Sequence, residues 1–426
     1  MQIIEIEPLH PETWNELGLL AFDEGRTAQA GLLFSKAVVR DPGQPRYVRN
    51  LEKALEALTG GEDDRDIYIR GYAAWKRLKA GDIGESGAGP CAPEQSPKLP
   101  SPDHDHEIHI INPLENPAGG SERHALVLCR ELSQHARVTL WSESDFVPQF
   151  STEYPIRRIT RTDYPKHGTI ILLGVYFDPA PWLQLAQPRR SIVIYNTLNP
   201  VRLVHRLGMI NQDRPRQVEL VFGTERTKNC VGLRGTVITT SIDLERFPAK
   251  RATLQPGADD SFVVGRMSRD VPQKHHPGDP GLYRRLVGAG CAVRLMGGTV
   301  LAPSLSTTPA IELLPTLSQS ASVFLRSLDC FFYRTGRIVE AGGRVVIEAM
   351  ASALPVVCHR VGGYAEWIEH GESGFLFETD EEAFQILTRL KSDPDLCRTV
   401  GAAARTRVET IFSARNQQRL IDYYLR

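Results

Sequence analysis

Short apolar runs alternate with amphipathic stretches through most of this 426-residue chain. From residue 108 onward many of the runs are rich in Val, Ile and Leu and end at turn residues, which predicts strands that are buried on both faces. The predicted strands cover 108–112, 136–143, 169–173, 191–195, 219–222 and 237–240, then 261–266, 292–296, 311–315, 328–333 and 354–357. Because helical patterns separate them, the sequence predicts an α/β class built from βαβ units.

The first 80 residues show only helical periodicity. Residues 11–44 fit a tetratricopeptide pattern, with a further helix at 45–60 and another at 67–78. The positions that match are Trp14, Leu17, Gly18, Ala21, Ala30, Phe34, Ala37 and Pro42. A plain helical hairpin is the alternative. Helical repeats bury their apolar faces by stacking on one another. So short an array is therefore expected to pack against another surface of the protein.

Segments rich in turn-forming residues predict the domain limits. Residues 81–105 are dense in Gly, Pro and Ser and predict a linker after a TPR-like helical module at 1–80. An N-terminal Rossmann-like α/β domain is then expected at 106–250, and a C-terminal Rossmann-like α/β domain at 251–408. A final helix at 409–426 is expected to pack back toward the first α/β domain.

Composition excludes several classes of protein. Seven scattered cysteines give no paired spacing for disulfides or zinc, and no apolar run approaches the length of a membrane span. Residues 1–105 hold 12 Lys and Arg against 18 Asp and Glu, whereas the remainder holds 38 against 33. This mildly basic remainder suits anionic nucleotides and falls short of a nucleic-acid footprint. A cytoplasmic protein is expected, at most peripheral at the inner face of a membrane.

The chain is organised around residues 337–360, where a glycine turn, a helix and a buried strand follow one another. Gly342 and Gly343 precede a helix that begins near Arg344, and a helix start reached through glycines binds phosphate groups well. Glu340 and Glu348 are better suited to accept hydrogen bonds from sugar or ribose hydroxyls. The implied ligand is a nucleotide sugar; an ordinary amphipathic helix with a stray glutamate is the alternative.

This stretch resembles the E-x7-E signature and the following EAMA-x-G-x-PVV segment of retaining glycosyltransferases with the GT-B fold (group 1, or family 4 type). The resemblance spans residues 108–426 and implies two Rossmann-like doubly wound domains that face a cleft. It implies that the domain at 106–250 binds the acceptor and that the domain at 251–408 binds the nucleotide sugar. It implies that Glu340 contacts the donor sugar and Glu348 the ribose. Arg344 and Ala353 depart from the family, which usually has an apolar residue and a glycine there.

A second motif in residues 261–279 resembles the segment that holds the donor diphosphate. The family uses an arginine and a lysine, which match Arg266 and Lys274 after Gly265, although the spacing is longer than usual. Arg269 is the alternate cation. Such fixed cations stabilise the charge that grows on a departing diphosphate. The turn that begins at Leu314 is a candidate for backbone contacts to the base.

The resemblance also indicates candidates in the first α/β domain. Gly119 and Gly120 match a glycine-rich loop close to the donor phosphates. Many family members place a histidine at a strand end near the reacting carbon, where this chain has Asn196. The acceptor-side candidates are therefore Glu122, His124 and Asn196. The basic segment 154–166 is expected to be a solvated loop, with contact to an anionic lipid carrier as the alternative.

No metal and no cofactor are expected, and the nucleoside diphosphate sugar is a substrate. An acidic and histidine-rich run at the linker exit offers an alternative metal cluster, formed by Asp103, His104, Asp105, His106 and His109. It is set aside because the resemblance implies that side chains and a helix terminus neutralise the diphosphate.

The resemblance therefore implies a retaining, metal-independent hexosyltransferase that acts on a hydroxyl acceptor in bacterial cell-surface polysaccharide or glycolipid synthesis. Alternatives are a protein-directed transferase whose helical module recruits the polypeptide, a GT-B epimerase or phosphorylase, and a non-catalytic GT-B scaffold. The acceptor is expected to be a glycan, a lipid-linked molecule or a protein, and residues 1–80 are a candidate surface for a protein partner or self-association. No nucleic acid partner is expected.

Overall fold

The computed structural model describes residues 10–41, 43–58, 65–80, 107–177, 179, 181–249 and 261–426. Its described residues form two compact units. The first unit comprises the chain up to Ile238 together with Gln418–Arg426, and the second comprises Thr239–Gln417. The domain limits expected from the sequence, after residues 250 and 408, stay predictions. The predicted linker at 81–105 lies outside the described residues.

The first unit is built on a seven-stranded parallel sheet in the order β3-β2-β1-β4-β5-β6-β7. Its strands are β1 (Glu107–Ile111), β2 (Arg137–Ser142), β3 (Ile156–Arg158), β4 (Thr169–Leu173), β5 (Arg190–Tyr195), β6 (Glu219–Phe222) and β7 (Thr236–Val237). The central strands are buried on both faces, as their continuous apolar runs predict.

Helices cover both faces of this sheet, and four of them precede it in the sequence. They are α1 (Pro11–Asp23), α2 (Thr27–Arg40), α3 (Pro45–Ala57), α4 (Arg65–Ala80), α5 (Gly120–Leu132), α6 (Pro148–Ser151), α7 (Trp182–Leu185), α8 (Pro200–Ile210) and α9 (Glu225–Val231). A last helix, α16 (Ala414–Leu425), packs Leu420 and Tyr424 among residues of the sheet. The four helices α1 to α4 share one buried cluster with α8 and the sheet.

The N-terminal helices confirm the helical periodicity of the sequence. Gly18 lies so close to Phe34 that an added Cβ would be 2.5 Å from its ring, and both are positions of the tetratricopeptide pattern. Trp14 is buried in the same cluster. The assignment to that repeat family stays a prediction.

The second unit carries a six-stranded parallel sheet in the order β10-β9-β8-β11-β12-β13. Its strands are β8 (Phe262–Met267), β9 (Cys291–Met296), β10 (Ile311–Leu314), β11 (Cys330–Tyr333), β12 (Val356–His359) and β13 (Phe375–Phe377). Its helices are α10 (Asp279–Gly288), α11 (Ala302–Leu305), α12 (Ala321–Arg326), α13 (Arg344–Ala351), α14 (Asp380–Ser392) and α15 (Pro394–Ile411).

Two doubly wound parallel sheets and a helical N-terminal region confirm the predicted class. The expected loop at 154–166 is wrong in part, because Ile156–Arg158 forms β3 at the edge of the first sheet. Three residues with two arginines give little period-2 pattern to detect. Among the described residues no helix is both long and apolar enough to cross a membrane.

Candidate functional site

The glycine turn before α13 is required by its backbone and by its neighbours. Gly343 is the N-cap residue with φ of 74°, a left-handed conformation that favours glycine. A Cβ at Gly343 would also lie 2.6 Å from the ring of Tyr364. No side chain caps this helix start, and the first amides of a helix are anion donors. The turn therefore presents backbone amides beside Glu340.

Glu340 is held by two donors from two other segments of the second unit. Lys274 Nζ forms an ion pair with its Oε1, and Tyr333 Oη donates to the same oxygen at 2.9 Å. The side chains of Lys274 and Glu340 are 13% and 16% exposed. Burial acts to raise the pKa of Glu340, but the charge and hydrogen bond of Lys274, with the Tyr333 bond, hold it below its usual value. Glu340 is therefore an acceptor, as hydroxyl recognition requires.

Glu348 lies one helical turn after Arg344, and the two side chains form an ion pair. Arg344 Nε donates to Glu348 Oε1 at 2.9 Å, and its guanidinium also donates to the carbonyl of Ser241 at 3.2 Å. The apolar residue usual in the family cannot make either bond. The departure at 344 therefore gives this chain a cation beside the carboxylate that the resemblance assigns to ribose.

Arg266 stands at the carboxyl end of β8 but is 1% exposed. Its guanidinium reaches Asp279 at 3.4 Å and donates to the carbonyls of Arg334 at 3.0 Å and of Lys274. It also lies 4.8 Å from the centre of the Tyr333 ring. These contacts hold the Lys274 segment and the end of β11 together. The direct contact of Arg266 with a diphosphate stays a prediction.

Sequence reasoning missed two members of the buried network around Arg266, namely its counterion Asp279 and the second arginine, Arg334. Arg334 Nε donates to Asp279 Oδ1 at 2.6 Å, and the same arginine pairs with Asp380. Asp279 is fully buried. A charged residue directly after the apolar strand 330–333 is a signal that would have identified Arg334, whereas Asp279 lies in a Gly- and Pro-rich stretch without one.

The remaining donor-side candidates have different surroundings. Gly265 packs where a Cβ would collide with the side chain of Leu328, which gives it a packing role. Arg269 is exposed. Leu314 ends β10, and its carbonyl accepts a hydrogen bond from the amide of Gly297 at 2.7 Å. The structure brings Lys274 and Glu340 into contact and pairs Arg344 with Glu348.

In the first unit, the candidates lie near the carboxyl edge of the sheet. Gly119 caps α5, and a Cβ there would collide with the carboxylate of Glu122, which is itself buried. The carboxylate therefore lies close to the start of its own helix. His124 is buried within α5, and Asn196 is half-buried directly after β5.

Tyr176 is a residue that the sequence did not indicate. It follows β4 at the same edge of the sheet and is 63% exposed, and its hydroxyl lies 3.0 Å from Thr197 Oγ1. Its neighbours Val175 and Phe177 pack into the core and anchor the segment. An exposed tyrosine whose hydroxyl is held by a threonine is suited to pack against a polar ligand with an apolar face.

No metal-binding group of three or more His, Cys, Asp or Glu occurs among the described residues. His109 lies in β1, where Trp141 Nε1 donates to its Nδ1 at 3.1 Å. The rest of the alternative cluster, Asp103 to His106, lies outside the described residues.

Comparison with known proteins identifies the class of enzyme. Residues 301–407 match the family model of glycosyl transferases group 1. The chain is 28% identical over 290 residues to the capsular polysaccharide biosynthesis glycosyltransferase CapM of Staphylococcus aureus, covering 62% of this chain and 75% of that one. It is 30% identical over 188 residues to a GDP-mannose-dependent phosphatidylinositol monomannoside mannosyltransferase of Mycolicibacterium smegmatis, covering 38% and 49%.

Solved structures share the fold. Anabaena HepE in complex with UDP-glucose superposes with a TM-score of 0.59 at 18% identity, covering 75% of this chain and 99% of that one. WaaG, a glycosyltransferase involved in lipopolysaccharide biosynthesis, superposes with a TM-score of 0.54 at 12% identity, covering 74% and 99%. The protein is therefore a glycosyltransferase of the GT-B fold, with the match to glycosyl transferases group 1 at residues 301–407 of its second unit.

Proposed function

We propose that this glycosyltransferase takes a sugar from a nucleoside diphosphate sugar and transfers it to a hydroxyl acceptor with retention of anomeric configuration. The observation that carries the proposal is the meeting of Lys274 and Glu340 beside the glycine turn that opens α13. A cation, a carboxylate and a run of helix amides are the groups that a diphosphate and a sugar together require.

Each donor-side residue has a distinct part in this proposal. Lys274 and the amides after Gly342 hold the diphosphate, Glu340 accepts hydrogen bonds from the sugar, and Glu348 accepts from the ribose. Arg266 positions the Lys274 segment and Tyr333 through the contacts given above, and its direct contact with the diphosphate stays a prediction.

In the transfer itself, the bond from the anomeric carbon to the diphosphate oxygen breaks while a bond to the acceptor oxygen forms on the same face. The acceptor proton passes to the departing diphosphate. Lys274 and the helix amides stabilise the negative charge that develops there, which lowers the barrier without a protein nucleophile. The lysine side chain and the amides at the helix start supply the positive charge, so a divalent ion is unnecessary for this step.

The acceptor is proposed to bind the first unit, with Asn196 and Tyr176 among its contacts. The relatives support a role in the synthesis of a cell-surface polysaccharide or glycolipid, since CapM is named for capsular polysaccharide and the mycobacterial enzyme for a phosphatidylinositol monomannoside.

The test begins with calorimetric titration of UDP, GDP and ADP into the full chain. One of them should bind, and at 100 times its dissociation constant it should add about 2.7 kcal/mol of stability. Lys274→Met should weaken this binding about tenfold or more, because it removes the charge-assisted contact to the diphosphate. Lys391→Met is the control, because this lysine caps the carbonyl of Ala289 far along the chain from the site.

The second arm follows the product. The anomeric coupling in proton NMR should show the configuration of the donor, and addition of EDTA should leave the rate largely unchanged. An inverted product, or activity that requires added Mn²⁺ or Mg²⁺, would contradict the mechanism. A chain that binds none of the three diphosphates would contradict the donor assignment.

A further inference from the structure

The ammonium of Lys274 has two competing partners in the proposed function. It forms an ion pair with Glu340, and the same group is assigned to the diphosphate of the donor. Both side chains of the pair are largely buried, so solvent screens their attraction less than it would at the surface. A diphosphate that takes this lysine must therefore compete with a carboxylate already in place.

The backbone around Lys274 is fixed, which confines any exchange to the side chain. Lys274 ends the 3-10 turn Pro272–Lys274, and its amide donates to the carbonyl of Val271 at 3.0 Å. Its own carbonyl accepts from Arg266. The side chain beyond this anchored backbone has four rotatable carbon bonds and can redirect its ammonium without moving the turn.

Glu340 keeps one partner when the lysine leaves. Tyr333 Oη donates to Glu340 Oε1 at 2.9 Å, and the Tyr333 ring is held by the guanidinium of Arg266. A largely buried carboxylate with a single hydrogen bond is still costly, since the desolvation of its remaining lone pairs is not compensated. A sugar hydroxyl that donates to Glu340 would supply the missing bond.

We propose that Lys274 exchanges between Glu340 and the diphosphate, so that the site selects the intact donor over the nucleoside diphosphate product. The donor brings both the phosphate that takes the lysine and the sugar hydroxyls that replace it at Glu340. The product brings only the phosphate, and Glu340 recaptures Lys274 as it leaves. This inference rests on the proposed function and adds a means of releasing product.

If Glu340 and Lys274 cooperated instead of competing, loss of Glu340 would change the affinity for the nucleotide in the opposite direction. If Glu340 instead holds Lys274 in place for the diphosphate, its loss weakens binding of the nucleotide. If Lys274 exchanges, Glu340→Gln removes the competing carboxylate, and the nucleoside diphosphate should bind more tightly. The change should be about tenfold, which corresponds to about 1.4 kcal/mol.

The experiment is a double-mutant cycle measured by competition calorimetry with UDP, GDP and ADP. Glu340→Gln alone should tighten binding of the preferred diphosphate about tenfold, and in the Lys274→Met background the same change should alter affinity less than twofold. Glu369→Gln makes the same charge change at an exposed pair with Arg407 and should alter nothing. Tightening that persists without Lys274 would show general repulsion by the carboxylate and overturn the exchange.

Tyr333→Phe provides a test that does not depend on the fold of the glutamine variant. It removes the bond that remains on Glu340, so separation of Lys274 becomes more costly and the diphosphate should bind several-fold more weakly. Unchanged affinity would overturn the exchange. If the wild-type chain binds none of the diphosphates, or Lys274→Met binds as tightly as wild type, the proposed function itself fails; if these hold and Glu340→Gln weakens binding, only the exchange fails.

Discussion

A Cβ atom at Gly208 would collide with the carbonyl oxygen of Ile67, so the backbones of α8 and α4 touch. The contact is reciprocal, because a Cβ at Gly71 would collide with the carbonyl of Val204. Small residues at such a crossing let two helices approach closely. Around it, Leu203 and Leu207 are fully buried in the cluster that the N-terminal helices share with the sheet. The helical region is thus part of the first unit.

The crossing predicts a large effect from a small side chain. Gly208→Ala should destabilise the first unit by about 1–3 kcal/mol, because the added methyl forces two backbones apart in a packed core. Gly120→Ala is a matched control, since a Cβ there meets no atom within 4 Å. Urea unfolding should show the loss for Gly208→Ala and none for Gly120→Ala. Equal stability of the two variants would contradict the backbone contact.

The same packing changes what removal of the N-terminal region should do. A separate module at 1–80 would leave a shortened chain that starts near residue 104 folded and able to bind nucleotide. Because α8 is buried beneath α4, we expect the shortened chain to expose a continuous apolar face and aggregate. Size-exclusion chromatography of the two chains would decide. A monomeric shortened chain that still binds nucleotide would support a separate module.

The sequence could predict what depends on periodicity and local motifs. Apolar runs located the central strands, and glycines beside paired glutamates located the start of α13. Gly71 and Gly208 lay within helical patterns, where glycine only weakens the helix prediction. These two glycines allow a close helix crossing, and a single sequence does not show which two helices cross.

The surroundings of Arg266 illustrate the same limit at the site. Its position after an apolar strand marked a cation at a strand end, but its acceptors come from residues 274, 279 and 334. Such a network is defined only after β8, β11 and α10 are assembled. Motif position alone therefore does not reveal the buried partners of Arg266.

The buried network predicts that Asp279 is needed for stability. Asp279→Asn should cost about 3–5 kcal/mol in the second unit, because it leaves Arg266 and Arg334 without their shared buried counterion. Asp380→Asn should cost about 1 kcal/mol or less, since the Asp380 side chain is 45% exposed. Hydrogen exchange of β8 and α10 under native conditions would measure both. Similar protection in the two variants would show that the network contributes little.

The pH dependence follows from the same carboxylate. Burial acts to raise the pKa of Asp279, but the charges of Arg334 and Arg266 and the Arg334 hydrogen bond hold it below its usual value. Its contribution is therefore complete above the unfolded pKa of about 3.9 and is lost as the pH falls through the lower folded value. The stability difference between wild type and Asp279→Asn should be constant from pH 5 to 7 and shrink below pH 4. A difference that grows on acidification would contradict this sign.

Glu348 is predicted to recognise ribose specifically. Glu348→Ala should weaken the preferred nucleoside diphosphate about tenfold or more, because a hydrogen bond to a charged group contributes about 1.5–3 kcal/mol. Inorganic pyrophosphate has no ribose and should bind the variant no more weakly than wild type. Parallel calorimetric titrations of wild type and Glu348→Ala would measure the affinity for each of the two ligands. If pyrophosphate loses as much as the nucleotide, Glu348 acts through Arg344 and the helix start rather than through ribose.

Tyr176 is predicted to contact the acceptor. Its segment is anchored by buried neighbours, its hydroxyl is held by Thr197, and its ring remains exposed at the strand ends, where α/β sheets bind ligands. Tyr176→Ala should raise the acceptor KM about tenfold, with nucleotide affinity and slow donor hydrolysis unchanged, because a ring packed on a sugar contributes about 0.5–1.5 kcal/mol beyond its buried area. Tyr176→Phe keeps the ring and should change KM less.

Leu185→Ala is the control for Tyr176→Ala, since Leu185 is equally exposed in the same unit. Steady-state kinetics at saturating donor would measure all three variants, and an acceptor KM equal to wild type in Tyr176→Ala would place the acceptor elsewhere.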